Sequence, residues 1–202
     1  MRVTRFATAF SVSLIGVFAL AIVCPPRALA QGDHSHGLTA PQHESNSEQK
    51  GKAGALVKLV REVTERFKNV AVAESEDYHL LFGCVSGPDS GAMGLHYVNF
   101  PKVIDGKIDP ADPEIVIYEP IGNGRVRLIG ADYLVLADAW NATHSSAPEM
   151  MGQLFHLFEA PNRFGLPAFY TLHVWAWKDS PAGTFVNWHP NVSCDAFNPQ
   201  QD

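Results

Sequence analysis

The chain has 202 residues, enough for one globular domain or at most two, and 46% of them are hydrophobic while 18% are charged. This composition is typical of a globular protein and excludes a collagen-like or wholly disordered chain. The formal net charge of −6 argues against broad nucleic-acid binding, because contact with the phosphate backbone needs a basic face. The sequence has no P-loop, GxGxxG, GxSxG, HExxH or CxxC motif, so no common motif assigns an activity.

The first thirty residues have the pattern of a secretory signal peptide. Arg2 and Arg5 precede an apolar run at residues 7–23, and the sequence Ala-Leu-Ala at residues 28–30 supplies a cleavage site. We expect a secreted or periplasmic protein with no transmembrane segment in the mature chain. Removal of the three arginines of residues 1–30 leaves 12 basic and 21 acidic residues, a net charge of −9. A membrane anchor is the alternative, although the apolar run is short for one.

Two cysteines remain after this cleavage, and they predict a disulfide bond. Cys24 leaves with the signal segment, unless the protein is a lipoprotein acylated at that residue. Cys84 and Cys194 then have only one possible pairing in an oxidising compartment. Two free buried thiols are the alternative. The bond would tie the first core strand to the last ordered segment.

Residues 31–52 are polar and predict a disordered tether. They include His34, His36 and His43, for which the sequence defines no role. If cleavage fell after Gln31, His34 would stand third in the chain, and the terminal nitrogens would suit Cu(II) or Ni(II). Solvated histidines are the alternative.

The remaining residues, 53–202, predict one α+β domain. Apolar residues at steps of three and four indicate an amphipathic helix over residues 53–73. The pattern then changes to strand candidates separated by turn-forming residues, at 78–85, 93–100, 114–118, 125–137, 170–177 and 184–188. Helix-spaced apolar residues at 150–159 indicate a short helix. The predicted fold is one N-terminal amphipathic helix packed on a mainly antiparallel sheet with a short helical insertion.

One pair of strands is predicted by its turn. Residues 114–119 and 125–136 flank Gly122, Asn123 and Gly124, which are residues typical of a tight turn. We therefore expect these two segments to form an antiparallel hairpin.

Four ionisable residues interrupt apolar strand faces. Because side chains alternate between the faces of a strand, His96, Glu119, Asp132 and His173 each lie on a face that is otherwise mostly apolar. Buried ionisable groups are costly unless they are paired or bound to a metal. Two imidazoles with a carboxylate suit Zn, Fe or Mn, so the four residues are a candidate metal site. If they share one ion, the nitrogens of His96 and His173 must lie within about 4 Å of each other.

Two other interpretations of these residues stay open. They could form a structural hydrogen-bond network, or a metal-free site for acid–base chemistry. Glu119 precedes Pro120 at the end of a strand, where it could be exposed. His156 is a weaker fifth candidate, and His79 and His189 are expected to have local structural roles.

The C-terminal quarter is rich in aromatic residues. Trp175 and Trp177 are expected on one face, with Trp188 nearby, as a stacking platform for a sugar or another planar ligand. Arg163, in the adjacent loop, could bind an anionic group. A core of large side chains is the alternative. The favoured function is an exported module that binds a small molecule or a protein partner, and the alternative is a metal-binding protein or metal-dependent enzyme.

Three segments carry a resemblance to other proteins: GCVSGPDSGAMGLHYVN at residues 83–99, EIVIYEP at 114–120, and LPAFYTLHVWAWKDSPAGTFVNWHPNVSC at 166–194. Across residues 53–194 the chain resembles an uncharacterised family of exported bacterial proteins with no assigned activity. The resemblance implies export in a bacterium and transfers no functional residue.

Overall fold

The computed structural model describes residues 47–198. Its helices are short apart from the first, and they lie at Ser47–Thr64 (α1), Val70–Ser75 (α2), Phe100–Val103 (α3) and Ala137–Asn141 (α4). The predicted signal peptide, Cys24 and the tether histidines lie outside the described residues. No helix in residues 47–198 is long and apolar enough to cross a membrane.

Strands contribute more of residues 47–198 than the helices do. They are His79–Gly87 (β1), Gly91–Val98 (β2), Ile115–Pro120 (β3), Val126–Leu136 (β4), Glu149–Met150 (β5), Gln153–Leu154 (β6), His156–Phe158 (β7) and Phe169–Val174 (β8). Six of them form one sheet in the order β1-β2-β3-β4-β8-β7, in which every pairing is antiparallel, and β5 pairs with β6. The prediction of a mixed helix-and-sheet protein with an antiparallel sheet is confirmed.

The hairpin predicted across residues 122–124 is also confirmed. β3 pairs with β4 from Ile115 opposite Asp132 to Pro120 opposite Val126. Asn123 has φ of 56°, in the left-handed region that Asn tolerates better than most residues.

Three predicted elements differ from the structure. The predicted helix at 150–159 is replaced by β5, β6 and β7, because Met151 and Gly152 have φ of 48° and 81° and form a turn that a helix cannot contain. The predicted helix at 53–73 begins earlier, at Ser47 inside the predicted tether, and is interrupted by a 3-10 turn at Glu65–Lys68 and by extended Asn69. The predicted strand at 184–188 is irregular.

The two faces of the sheet carry different residues. One face, here called the histidine face, bears His96, Asp132 and His173 together with apolar residues such as Ile115 and Leu134. The opposite face, here called the tyrosine face, bears Tyr97, Tyr118, Tyr133, Leu172 and Val174. Leu56 and Val60 of α1 are fully buried in the cluster that contains Tyr133 and Leu172.

Two glycines fit the curled shape of the sheet. A Cβ atom at Gly94, which has φ of +88°, would lie 2.5 Å from the carbonyl oxygen of Tyr118. A Cβ atom at Gly130 would lie 2.5 Å from the carbonyl oxygen of Val174. The strands therefore approach more closely at these points than a side chain would allow, which is a common way to bend a sheet.

The C-terminal segment packs against the histidine face. Cys84 of β1 and Cys194 form the predicted disulfide, with Cα atoms 5.7 Å apart, a normal separation for this bond. His189 forms a β-bridge with Ala92 of β2, and Val192 is buried in the same cluster as Ile115. The bond closes a segment with a sequence separation of 110 residues, which chain-entropy models value at about 4–5 kcal/mol.

Candidate metal and ligand site

Two histidines and one aspartate meet on the histidine face. The Nε2 atoms of His96 and His173 are 3.4 Å apart, within the distance predicted for a shared ion. His96, Asp132 and His173 each offer a ligand-type atom, and the three atoms lie within 4.8 Å of one another. All three residues are buried, with 7%, 2% and 3% of their surface exposed. The two imidazoles therefore lie close enough to share an ion, and their role as metal ligands stays a prediction.

Strand register explains why these residues converge. Asp132 of β4 lies directly opposite His173 of β8 and, on its other side, opposite Ile115 of β3. His96 of β2 lies opposite Ile117, so β3 separates it from β4. In a flat sheet, three inter-strand steps would place His96 and His173 roughly 14 Å apart at Cα. Their rings nevertheless meet across β3 and β4, which a curled sheet allows.

Asp132 is oriented by its neighbours. The hydroxyl of Thr171 donates a hydrogen bond to Oδ1 of Asp132, and Nδ1 of His173 lies 3.5 Å from the same oxygen. Thr171 is itself 1% exposed and sits two residues before His173 on β8. A hydroxyl of this kind fixes the direction of a ligating carboxylate. The sequence signal for Thr171 was its position on the same strand face as His173.

Burial sets the protonation states of the three groups. Loss of hydration, with a smaller contribution from His173, lowers the pKa of His96 to about 4. Loss of hydration also lowers the pKa of His173 to about 3, although the nearby amide of Asn187 opposes this. Burial raises the pKa of Asp132 to about 6. At pH 7 the site therefore holds two neutral imidazoles and a largely ionised carboxylate, which are the forms that bind metals.

Hydrogen bonding within the cluster is incomplete. Nδ1 of His96 and Nδ1 of His173 are buried and make no hydrogen bond of standard geometry among the described residues, although Gly94 lies near His96, and Asn187 and Asp132 lie near His173. Buried polar atoms are nearly always paired in folded proteins, and a partly satisfied network is costly. A purely structural network of these three side chains would therefore be a poor one.

Glu119 does not join the cluster, so it is removed from the predicted ligand set. It lies on the correct face of β3 but four residues beyond Ile115, roughly 13 Å along the strand. Its carboxylate accepts hydrogen bonds from Arg127 and Lys178 at 2.5 and 2.6 Å. Burial raises the pKa of Glu119, but these two cations outweigh that effect and lower it. The alternation of side chains along β3 predicts the face on which Glu119 lies, but it does not predict how far along the strand Glu119 is from the cluster.

The other histidines have separate positions. His156 lies opposite Thr171 on β7, on the histidine face, but it is exposed and outside the cluster. Nδ1 of buried His189 accepts a hydrogen bond from the backbone N–H of Asn191, and its ring packs edge-on against Trp175. His79 is exposed at the start of β1.

A largely apolar pocket opens over the cluster. The space within it that water-sized molecules can occupy is about 30 Å³, and the wider depression, which includes open solvent, encloses about 390 Å³. His96, Asp132, Thr171 and His173 are its polar lining residues. The other lining residues are apolar, and they are Phe82, Met93, Val98, Ile115, Leu134, Phe158, Phe164, Leu166 and Phe169. The grouping of the four phenylalanines over the cluster was not predicted, because they lie on β1, β7, β8 and a loop that no sequence pattern connects.

The predicted tryptophan platform is not assembled, and the expectation of a shared face was wrong. β8 ends at Val174, and the N–H of Ala176 bonds to the carbonyl of Val174 in a tight turn, so alternation stops there. Trp175 packs with the histidine-face cluster, whereas Trp177 donates a hydrogen bond to Thr64 on the other side.

Trp188 and Arg163 also lie outside the pocket lining. Arg163 donates a hydrogen bond to the carbonyl of Ser86, and its guanidinium lies 5.8 Å from the ring centre of Trp188. The ring of Trp188 fills the space beside Gly87. A role for these two residues and for Trp175 and Trp177 in binding a ligand stays a prediction.

Comparison with known proteins adds no relative. No protein-family model, curated protein or solved structure matches the chain.

Proposed function

We propose that this protein binds a divalent transition-metal ion through His96, Asp132 and His173, and that the ion faces the pocket as a site for a small molecule. The observation that carries the proposal is the 3.4 Å separation of the two Nε2 atoms. Two nitrogens bound at 2.0–2.1 Å to a tetrahedral zinc ion are about 3.3 Å apart. The two imidazole nitrogens therefore have the spacing of a metal-bound pair, and the ligand-type atom of Asp132 lies within 4.8 Å of the histidine atoms.

Charge balance supports the same proposal. Ionised Asp132 buries a negative charge, and burial raises its pKa although the hydroxyl of Thr171, the backbone of Leu172 and the rings of His96 and His156 favour the charged form. Neither Lys nor Arg is among the residues that line the pocket. A buried carboxylate without a cation is unfavourable, and a bound metal ion supplies the missing positive charge.

The ligand set indicates which ions to test. Two histidines and one carboxylate leave coordination positions open, as in catalytic zinc sites and in mononuclear iron(II) sites. Zinc, iron and manganese are therefore the candidates. Open positions would let the metal polarise a bound carbonyl or activate a water molecule, which makes an enzyme a possible form of this function.

The first experiment is elemental analysis of the tag-free mature protein, followed by titration of the metal-free protein with Zn(II), Mn(II) and Fe(II). We expect one metal ion per chain, and about 2.7 kcal/mol of stabilisation when the free metal is a hundredfold above its Kd. His96→Ala and His173→Ala should abolish metal retention. His156→Ala is the matched control, because it removes an exposed histidine from the same face and should retain the metal.

A metal-free binding module is the second candidate function, and the apolar lining of the pocket favours it. If the wild-type protein takes up none of the three metals while its circular dichroism shows a folded chain, the metal proposal fails and the module stands. If His156→Ala loses metal as fully as His173→Ala does, the assigned ligand set is wrong.

We also propose that the protein acts outside the cytoplasm, secreted or in the periplasm. The disulfide is consistent with an oxidising compartment, and the pattern of residues 1–30 and the resemblance to exported bacterial proteins support export. The intact mass of the exported protein should correspond to a chain that starts at Gln31. A retained first segment would contradict this proposal.

A further inference from the structure

We propose that the pocket binds an apolar monocarboxylate whose carboxylate oxygen ligates the metal and whose hydrocarbon part lies against the phenylalanine rings. This inference rests on the proposed function and names the ligand class for the same site. Three features of the described residues support it: the distribution of polar groups in the pocket, the net charge of the loaded site, and the aromatic wall that leads to it.

The polar groups of the pocket are confined to one end. His96, Asp132, Thr171 and His173 lie together on β2, β4 and β8, and the remaining lining is hydrocarbon or thioether. A ligand that fills this pocket therefore needs one polar group and an apolar body. Sugars and other polyhydroxylated molecules are excluded, since their further hydroxyls would find no partners.

The charge of the loaded site selects the polar group. A divalent ion, one aspartate and two neutral imidazoles have a net charge of +1. A monoanion that ligates the ion makes this buried assembly neutral, whereas a phosphate dianion would leave an unpaired negative charge. Arg163 cannot assist, because its guanidinium is bound to the carbonyl of Ser86 and does not line the pocket.

The aromatic wall defines the apolar body of the ligand. Phe158 stacks on Phe169 with ring centres 5.1 Å apart, and the ring of Phe164 lies 6.1 to 6.2 Å from both. Phe82 continues this series, 5.5 Å from Phe164. The rings form a connected surface beside the polar end, which suits a planar or extended hydrocarbon.

Phe82 gives independent support. It has φ of 66°, a strained conformation for a residue of this size, and it remains 47% exposed although it lines the pocket. Phe82 and Gly83 occupy an irregularity in the pairing of β1 with β2 between Leu81 and Cys84, and the Phe82 ring lies beside Phe164. A ligand that covers this ring would remove it from water.

The loop that carries Phe164 is already ordered around the pocket. The Oδ1 atom of Asn162 accepts hydrogen bonds from the backbone N–H groups of Phe164 and Leu166, and its Nδ2 atom donates to the carbonyl of Leu166. Both Phe164 and Leu166 are thereby held in the wall. A preorganised wall lowers the entropy cost of binding.

The test is calorimetric titration of the zinc-loaded mature protein with 3-phenylpropionate, and with two matched probes. Acetate keeps the carboxylate and lacks the hydrocarbon, and 3-phenylpropanamide keeps the hydrocarbon and lacks the charge. We expect 3-phenylpropionate to bind at least about tenfold more tightly than either probe, and at least about tenfold more tightly than it binds metal-free protein. Phe82→Ala should weaken its binding about tenfold without changing zinc retention.

Leu157→Ala is the control variant, because Leu157 is also 47% exposed but lies on the other face of β7. It should bind 3-phenylpropionate as the wild type does. Equal binding of the amide, equal binding to metal-free protein, or no binding to zinc-loaded protein would each overturn the ligand class while the metal site stands. Failure to retain zinc would instead overturn the proposed function, and the titration of metal-free protein would then show whether the pocket binds hydrocarbons alone.

Discussion

The buried polar groups on the two faces of the central sheet differ in how completely they are hydrogen-bonded. On the tyrosine face, the hydroxyl of Tyr118 donates to the carbonyl of Phe67 and that of Tyr133 donates to the carbonyl of Pro110, each at 2.7 Å. On the histidine face, two imidazoles meet at 3.4 Å, and neither Nδ1 atom makes a hydrogen bond of standard geometry among the described residues. Both faces are buried, so exposure does not explain the difference.

The difference between the two faces suggests that the tyrosine face stabilises the fold and that the histidine face binds a ligand. The tyrosine hydroxyls complete the hydrogen bonding of backbone carbonyls at the edges of the core, which stabilises the fold. The histidine cluster does not complete its own hydrogen bonding, which is expected where side chains are positioned to bind a ligand. Substitutions on the tyrosine face should therefore change stability, and substitutions on the histidine face should change binding.

The largest expected effect on the free energy of unfolding comes from Glu114, a buried carboxyl group that is hydrogen-bonded to the backbone. Oε2 of Glu114 accepts a hydrogen bond from the N–H of Leu134, and burial raises the pKa of Glu114 to about 8. The folded state therefore keeps a proton that the unfolded state loses near pH 4.5. Stability should fall as the pH rises from about 5 to 8, by on the order of 4 kcal/mol.

Urea denaturation of the wild type and of Glu114→Gln at pH 5, 6.5, 8 and 9 measures this effect. Because Gln does not titrate, the variant should lack the Glu114 contribution, while the contributions of Asp132, His96 and His173 are common to both proteins. The difference in stability between the two proteins should therefore grow until about pH 8 and then level. Parallel curves would show that Glu114 is ionised in the folded protein at neutral pH.

Neighbouring residues on β8 provide the sharpest test of the two faces. Leu172 is 1% exposed on the tyrosine face, and the next residue is His173 on the other face. Leu172→Ala should lower the free energy of unfolding by about 3 kcal/mol, because it opens a cavity in the core. Zinc retention, measured on the folded fraction, should stay at the wild-type level. Loss of zinc binding in this variant would show that the two faces are coupled.

A smaller effect is expected for the tyrosine hydroxyls. Tyr118→Phe removes the hydrogen bond to the carbonyl of Phe67 and leaves the ring in place. The cost should be about 1–2 kcal/mol in urea denaturation, since a buried acceptor loses its partner. An unchanged urea midpoint would mean that water replaces the hydroxyl as partner of the Phe67 carbonyl. The hydrogen bonds of the tyrosine face would then contribute less to stability than the structure indicates.

Much of this arrangement is predictable from sequence, because it depends on local patterns. Alternation placed His96, Asp132 and His173 on apolar faces, the turn at residues 122–124 identified the β3–β4 hairpin, and two cysteines in a chain with an export signal identified the disulfide. Each of these inferences uses a period of two residues, a short turn or a simple count.

The errors arise where tertiary structure decides. The position of a residue along its strand depends on the register of the strands. The sequence therefore placed Glu119 on the correct face of β3, but the residue lies at the end of β3 away from the histidine cluster, next to Arg127. Trp175 and Trp177 separate because a tight turn follows Val174, which the sequence pattern of β8 does not mark. The pocket phenylalanines come together only through sheet order, and no local pattern specifies that β7 pairs with β8.

The smallest expected effect is on the stability of the metal-free protein when a site histidine is removed. His96→Leu replaces an imidazole whose Nδ1 atom makes no hydrogen bond of standard geometry among the described residues by an apolar side chain of similar size. Removing such a polar group offsets the loss of the Nε2 contact with His173, so the free energy of unfolding should change by less than about 1 kcal/mol. Urea denaturation in the presence of a chelator measures this directly at pH 7, where both imidazoles are neutral. A loss of about 3 kcal/mol or more would show that the cluster is a structural network after all, and would remove the distinction between the two faces.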